Sequence, residues 1–144
     1  LAFDTWLKGF GLEAAGYLID LVQQLSAQPP VYLDENEIRA VEKAKTILQA
    51  SLKHPPAVID LCRKVGVNKN KLQKGFRLTE GKSVAEYVRT LRMERALDLL
   101  EDDTLSIQDV AEKVGYNGIS NFYAVFRQTF GDTPAAIQKL LETK

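Results

Sequence analysis

Apolar side chains recur at spacings of three and four along most of the chain, which is the period of an amphipathic α-helix. The first such face lies between residues 12 and 25 and ends before Gln28-Pro29-Pro30, since two prolines stop a helix. Further periodic stretches predict helices over about 35–52, 57–65, 68–79, 83–101, 107–114 and 118–130, with a last helix starting at Pro134. Because no stretch alternates with period two for long enough to form a strand, the pattern predicts an all-α protein.

One segment of the chain is repeated. Residues 59–68 align with residues 108–117 at a shift of 49, and one inserted residue makes the shift 50 further on. The coincidences include Asp60 with Asp109, Lys64 with Lys113, Gly66 with Gly115, Asn68 with Asn117, Phe76-Arg77 with Phe126-Arg127, and Gly81 with Gly131. So many matches in order indicate two copies of one structural unit.

Each copy has the parts of a helix-turn-helix unit. A small residue that allows close helix crossing stands four before a glycine that can end the first helix in the αL conformation. An asparagine follows as the N-cap of the second helix, and two large apolar residues face the core. These residues are Cys62, Gly66, Asn68, Leu72 and Phe76 in the first copy, and Ala111, Gly115, Asn117, Phe122 and Phe126 in the second. Helix-turn-helix units are therefore predicted over 57–79 and 106–130.

The helix predicted over 83–101 joins the two units. Nineteen residues at 1.5 Å each span about 28 Å. The two second helices would then lie near one turn of DNA apart, about 34 Å, on the same face of a duplex. One chain could thus enter adjacent major grooves.

Basic residues are concentrated in the first unit, although the 19 Lys/Arg and 19 Asp/Glu of the chain cancel. Residues 63–95 carry ten Lys/Arg against three Asp/Glu, a net charge of +7, whereas residues 96–144 carry −4. A basic surface on a helix-turn-helix unit suits the phosphates of double-stranded DNA. A helical scaffold repeat and a protein-binding module that reuses the fold are the alternatives.

Catalytic and metal chemistry find little support in the sequence. His54 is the single histidine and Cys62 the single cysteine, so no zinc site can be assembled, and Cys62 is interpreted as a packed small residue in a reducing cytoplasm. There is no nucleophile–base arrangement, glycine-rich phosphate loop or apolar run long enough to cross a membrane. We expect no enzyme activity and no cofactor.

The spaced pattern from Tyr87 onward closely resembles the signature of the AraC/XylS family of bacterial transcription regulators. It comprises Tyr87-Val88-Arg89-Thr90-Leu91-Arg92-Met93-Glu94-Arg95-Ala96, Leu99-Leu100, Ile107, Val110-Ala111, Val114-Gly115-Tyr116, Asn121-Phe122, Phe126, Phe130-Gly131 and Thr133-Pro134. The resemblance covers about residues 36–144 and implies seven helices, with DNA contacts from the third and the sixth. His54-Pro55-Pro56, Leu61-Cys62-Arg63 and the string from Val67 to Arg77 also resemble siderophore-uptake regulators related to the pyochelin regulator, which implies control of iron–siderophore genes.

The resemblance implies particular contacts. Base contacts fall on Asn70, Gln73 and Lys74 in the first unit, and on Ile119, Ser120, Asn121 and Tyr123 in the second. Asn and Gln can pair bidentately with adenine, and Lys can donate to guanine. Phosphate contacts fall on Lys69, Lys71, Arg77 and Arg127, which would set affinity and register. Arg92 resembles a structural arginine of the family, so we expect an internal ion pair there.

The chain departs from the family pattern mainly in the second unit. Ala124 stands where a basic side chain is common, Gln138 where arginine is frequent, and Gly118 where a better helix-starting residue is usual. We therefore expect weaker or more shape-dependent DNA contact by the second unit. Glu80 also departs from the pattern, because phenylalanine usually precedes the glycine at this point.

The chain is expected to divide near residue 30. Residues 1–30 are interpreted as the last helix and linker of an upstream sensor or dimerisation domain, since the chain opens on Leu1, and residues 31–144 as the DNA-binding domain. The partners expected are double-stranded DNA, RNA polymerase and a second copy of the chain, which would pair through the first helix or through the upstream domain. A membrane is not among them.

Overall fold

The computed structural model describes residues 11, 14–24 and 32–142, which fall into two compact units, Leu1–Leu33 and Asp34–Lys144. In the first unit, residues 14–24 are helical, as the apolar period indicated, and their apolar side chains are exposed. The proline pair at 29–30, and with it the predicted linker, lies outside the described residues. The assignment of residues 1–30 to an upstream domain stays a prediction.

The compact unit Asp34–Lys144 contains seven helices in its described part and no strand there. They are α1 (Glu35–Ala50), α2 (Val58–Val65), α3 (Lys69–Glu80), α4 (Val84–Leu99), α5 (Ile107–Lys113), α6 (Ile119–Phe130) and α7 (Pro134–Glu142). The predicted all-α class and the two helix-turn-helix units joined by a central helix are confirmed. Helix α4 has 16 residues rather than nineteen, so it spans about 24 Å.

Three helices begin with a capping box. In it the N-cap side chain accepts from the backbone N–H of the third helical residue, and the side chain of that third residue accepts from the backbone N–H of the N-cap. The pairs are Asp34 with Glu37 for α1, Ser83 with Glu86 for α4, and Ser106 with Asp109 for α5. Since an ionised carboxylate is the better acceptor, these hydrogen bonds lower the pKa values of Glu37, Glu86 and Asp109.

The two helix-turn-helix turns follow the predicted design with one exception. Gly66 (φ 79°) and Gly115 (φ 92°) adopt the αL conformation, and the Asn68 side chain accepts from the backbone N–H of Lys71 to cap α3. The prediction that Asn117 caps α6 is wrong. Gly118 holds the N-cap position, without a side-chain cap, because α6 begins one residue later in its unit than α3 does.

The described part of residues 34–144 has two hydrophobic cores, one for each helix-turn-helix unit. The first consists of Val41, Ala44, Leu48, Leu61, Cys62, Leu72, Phe76, Val84 and Tyr87. The second consists of Met93, Ala96, Leu100, Val110, Ala111, Val114, Tyr116, Phe122 and Phe126. Helix α4 supplies its first half to one core and its second half to the other. It therefore holds α3 and α6, which are the second, or recognition, helices of the two helix-turn-helix units.

Candidate nucleic-acid interface

Helix α3 presents a polar side to solvent. Its Leu72 and Phe76 side chains are fully buried in the first core. Asn70 is exposed and Gln73 and Lys74 are half-buried, and helical geometry places all three on the side away from that core. The structure thus brings the three predicted base-contacting residues of the first unit together on one accessible surface, which we call the α3 polar face.

The cations flanking the α3 polar face differ in their surroundings. Lys69 is exposed in the first turn. The Lys71 ammonium lies 3.3 Å from the Glu37 carboxylate and turns toward α1. An Arg77 Nη1 atom lies 3.6 Å from Glu86 of α4, with both side chains about half exposed. Two of the three predicted phosphate contacts in α3 therefore already have acidic neighbours within the protein.

The same face of α6 is nearly uncharged. The repeat aligns Ser120, Tyr123, Ala124 and Arg127 with Asn70, Gln73, Lys74 and Arg77. Ser120, Ala124 and Arg127 are exposed. Of the four positions, only Arg127 carries a charged side chain. We call the four positions the α6 polar face. The weaker DNA contact expected of this second helix-turn-helix unit stays a prediction.

Three of the predicted base contacts of α6 are less well placed than Ser120. Ile119 and Tyr123 are half-buried and pack against the second core, where the Tyr123 ring lies edge-on to Phe122 with 6.4 Å between centroids. Asn121 is exposed, but the repeat aligns it with Lys71, at the side of the helix. The structure therefore gathers the α6 residues less closely than those of α3.

Arg92 has an internal position, as expected, but not the expected partner. Its Nε and Nη2 atoms donate to the backbone carbonyl oxygens of Leu52 and Lys53, each at 3.2 Å, and its guanidinium lies 5.5 Å from the centroid of the Tyr116 ring. The predicted ion pair is corrected to a carbonyl and aromatic contact. The reason is that Arg92 faces the turn after α1, where backbone carbonyls have no helical partner.

Two residues that depart from the family pattern make a hydrogen bond to another part of the fold. Glu80, at the end of α3, lies 2.7 Å from the Lys45 ammonium of α1, and this hydrogen bond raises the pKa of Lys45. Gln138 of α7 donates to the backbone carbonyl of Leu105 at 3.3 Å. Both side chains hold helices in place. The sequence carried no signal for the Lys45–Glu80 pair, because its members are 35 positions apart.

Across residues 11, 14–24 and 32–142, no three His, Cys, Asp or Glu side chains are grouped so as to hold a metal ion. Cys62 is a buried, free thiol in the first core. None of the helices described here combines the length and the apolar character needed to span a bilayer.

Comparison with known proteins agrees with this architecture. Residues 61–140 match the family described as a helix-turn-helix domain. The chain is 28% identical over 131 residues to the Msm operon regulatory protein of Streptococcus mutans, covering 88% of this chain and 47% of that protein. It is 31% identical over 114 residues to the HTH-type transcriptional activator RhaR of Pectobacterium atrosepticum, covering 79% and 39%. The chain thus spans less than half the length of these relatives.

The fold has a solved counterpart in a transcriptional regulator from Chromobacterium violaceum, described as containing an AraC-type DNA-binding domain. The TM-score is 0.68 at 24% identity, covering 71% of this chain and 91% of that one. The two helix-turn-helix units and the family match define a protein of the helix-turn-helix class. The chain belongs to the helix-turn-helix domain family whose model matches residues 61–140.

Proposed function

We propose that this chain binds a specific double-stranded DNA site by inserting α3 and α6 into adjacent major grooves. The observation that carries this proposal is the pair of equivalent, solvent-accessible faces on α3 and α6. Each belongs to one copy of the repeat, and each recognition helix packs into a core to which α4 contributes. Such a face can enter a groove only if its opposite side is anchored, as Leu72 and Phe122 anchor it here.

The two units contribute unequally in this proposal. Asn70, Gln73 and Lys74 read bases, and Lys69 supplies a phosphate contact. In α6, Ser120, Asn121, Ile119 and Tyr123 offer hydroxyl, amide and apolar groups, with Arg127 toward phosphate. Few phosphates are then neutralised by the second unit, so its selectivity depends more on the shape of the DNA.

A mobility-shift assay tests this assignment. A duplex would first be selected from a random-sequence pool by the wild-type chain, and its affinity then measured as a function of salt. Lys74→Ala should weaken binding and relax preference at one base pair, and Gln73→Ala should cost more than Asn121→Ala. Full affinity in Lys74→Ala with an unchanged salt slope would contradict the base contact, and an equal or larger loss in Asn121→Ala would contradict the asymmetry.

A gain of charge tests the second unit from the other direction. Ala124→Lys restores a cation at the position aligned with Lys74. We expect higher affinity and a salt slope steeper by about 1, as for one added phosphate contact. Ala124→Gln is the matched control, because it adds a polar side chain without charge and should leave the slope unchanged. Identical slopes for both variants would show that α6 does not approach the DNA backbone.

The partners and targets extend this proposal. We propose that the DNA-bound chain contacts RNA polymerase in the cytoplasm and that its targets include iron–siderophore genes, on the strength of the string from Val67 to Arg77. Mapping the promoters that the chain binds in iron-rich and iron-depleted cells tests these targets. If no bound promoter belonged to an iron–siderophore uptake operon, the proposed targets would be refuted. A polymerase contact predicts that added chain increases promoter occupancy by the polymerase.

Homodimerisation is proposed through the helix that contains residues 14–24. Its Tyr17, Leu18 and Val22 side chains are 80%, 62% and 59% exposed. Apolar side chains at helical spacing gain free energy when a second helix covers them. Sedimentation of the wild type and of Leu18→Glu tests this, and a monomeric wild type at micromolar concentration would contradict it.

A further inference from the structure

The two helix-turn-helix units depend on more than α4 for their relative orientation. The extensive helix pairings of the described chain lie either among α1, α2, α3 and α4 or among α4, α5, α6 and α7. We call these groups the first half and the second half, and α4 is shared between them. A single shared helix fixes the distance between two recognition helices more firmly than the angle between them about its axis. A second attachment between the halves would therefore control this angle.

Arg92 provides such an attachment. Its guanidinium donates to the carbonyls of Leu52 and Lys53, which lie just after α1 in the first half. The same guanidinium lies over the Tyr116 ring in the second half, and Tyr116 packs edge-on against Phe122 of α6 with 5.5 Å between centroids. The contacts run continuously from the end of α1 to the second recognition helix. We call this group of contacts the Arg92 clasp.

Gly115 allows the two halves to approach at the Arg92 clasp. A Cβ atom on Gly115 would lie 2.6 Å from the Lys53 carbonyl oxygen and 2.8 Å from Nη2 of Arg92. Gly66 occupies the aligned position of the first unit with the same αL backbone, yet a Cβ there would meet nothing within 4 Å. The repeat therefore supplies its own control: both glycines serve a turn, and Gly115 also serves the clasp.

We propose that Arg92 is a positioning residue, which with the close approach at Gly115 fixes the angle between α3 and α6 and so selects the spacing of the two DNA half-sites. This inference rests on the proposed function. Each base pair added between half-sites moves one of them by roughly 3.4 Å and rotates it by roughly 35°. A chain with a fixed angle must bend or twist the DNA to bind such a site, whereas a chain with a loose angle can follow it.

A measurement without DNA tests the clasp itself. Spin labels on Asn70→Cys and Ser120→Cys, in a Cys62→Ala background, report the distance between the recognition helices by double electron–electron resonance. Ala111 holds the position aligned with residue 62, so alanine is compatible with this turn. We expect a narrow distribution for the parent, a broader one for Arg92→Ala and Gly115→Ala, and the parental width for Gly66→Ala. Parental widths in both clasp variants would overturn the proposal.

Binding to spacer variants of a selected duplex tests the consequence for specificity. The parent should lose on the order of tenfold in affinity when the spacer changes by about 1–2 base pairs, because the DNA must deform. Arg92→Ala and Arg92→Lys should bind the original duplex more weakly and vary less than about threefold across the spacers. Lysine keeps the charge but not the planar pair of donors, which separates a clasp from a simple charge effect.

Three results would overturn the spacing role. The first is a spacer profile in Arg92→Ala as steep as that of the parent. The second is a salt slope lower by about 1 in Arg92→Ala and restored in Arg92→Lys, because Arg92 would then be a phosphate ligand. The third is a Gly66→Ala profile as flat as that of Gly115→Ala. Failure of the parent to select any duplex would instead refute the proposed function, and the distance measurement would still report on the clasp.

Discussion

The Lys71 ammonium lies 3.3 Å from the carboxylate of Glu37, whose side chain is only 7% exposed. The Asp34 carboxylate lies 3.7 Å from the same ammonium. The first turn of the recognition helix α3 is thus attached to the first turn of α1. Lys71 therefore orients α3 on this geometry, in addition to its predicted role as a phosphate contact.

Replacement of Lys71 should affect stability more than the salt dependence of DNA binding. Lys71→Ala leaves the shielded Glu37 carboxylate without its cation, so we expect the melting temperature to fall by a few degrees. Lys69→Ala, in the exposed half of the same turn, should reduce the salt slope by about 1 with little change in melting temperature. Thermal melts and salt titrations check both, and equal slopes for the two variants would restore Lys71 as a phosphate contact.

The capping carboxylate of Glu86 predicts a defined pH dependence. The backbone N–H and hydroxyl of Ser83 hold the pKa of Glu86 below its ordinary value of 4.5. Its contribution to stability is therefore complete above that value and is lost as the pH falls through the lower, folded-state pKa. Glu86→Gln should lower the melting temperature at about pH 7 and have little effect at about pH 3. Glu94→Gln, an exposed change in the same helix, should lack this difference. Equal losses for Glu86→Gln at both pH values would contradict the assignment.

The close contact between α1 and α3 predicts that one substitution, Gly75→Ala, destabilises the wild-type protein but stabilises a variant in which the contact is removed. A Cβ on Gly75 would overlap the Cγ2 methyl of Val41. Gly75→Ala alone should destabilise by about 1 kcal/mol, because overpacking of about 1–3 kcal/mol exceeds the helix-propensity gain of about 1 kcal/mol. In a Val41→Ala background the overlap is absent, so the same change should stabilise by about 1 kcal/mol. Urea denaturation of the four proteins measures this cycle, and additive effects would contradict the contact.

The uncapped start of α6 offers a stabilising substitution. Gly118 has an extended N-cap conformation (φ −132°, ψ 123°), and a Cβ there would meet nothing within 4 Å. Gly118→Ser should stabilise by about 0.5–1 kcal/mol through a new side-chain cap and a less flexible unfolded chain. Gly118→Ala shares the second effect without the first, so it should be the less stable of the two. An alanine variant at least as stable as the serine variant would contradict the capping argument.

The helices and turns were predictable because their causes are local. Gly66 and Gly115 in αL and Asn68 at an N-cap follow from residues within one or two turns of each position. The internal repeat then joined these local signals into two helix-turn-helix units, with Leu72 and Phe122 at matching buried positions. Hydrophobic spacing, turn and capping residues and the internal repeat together therefore determined the fold class and the order of the helices.

The misplaced cap at Asn117 shows where alignment of the repeat loses accuracy. The inserted residue that changes the shift from 49 to 50 falls in the second turn, so Gly118 and not Asn117 reaches the N-cap. Composition does not reveal which residue of a turn absorbs an insertion. The backbone decides it by where the first helical hydrogen bond forms, here from Phe122 to the carbonyl of Gly118.

The sequence by itself determined an all-helical, twice-repeated helix-turn-helix protein with a basic first half. Only the tertiary structure decided which polar side chains have partners within the protein and which remain available for the proposed DNA contacts. Lys71 turns to Glu37, Glu80 to Lys45 and Arg92 to the carbonyls after α1. Each of these partners is more than thirty residues away, on α1 or on the turn that follows it. Helical period and capping act within a few residues, whereas these pairs form only after α1 has packed on α3 and α4.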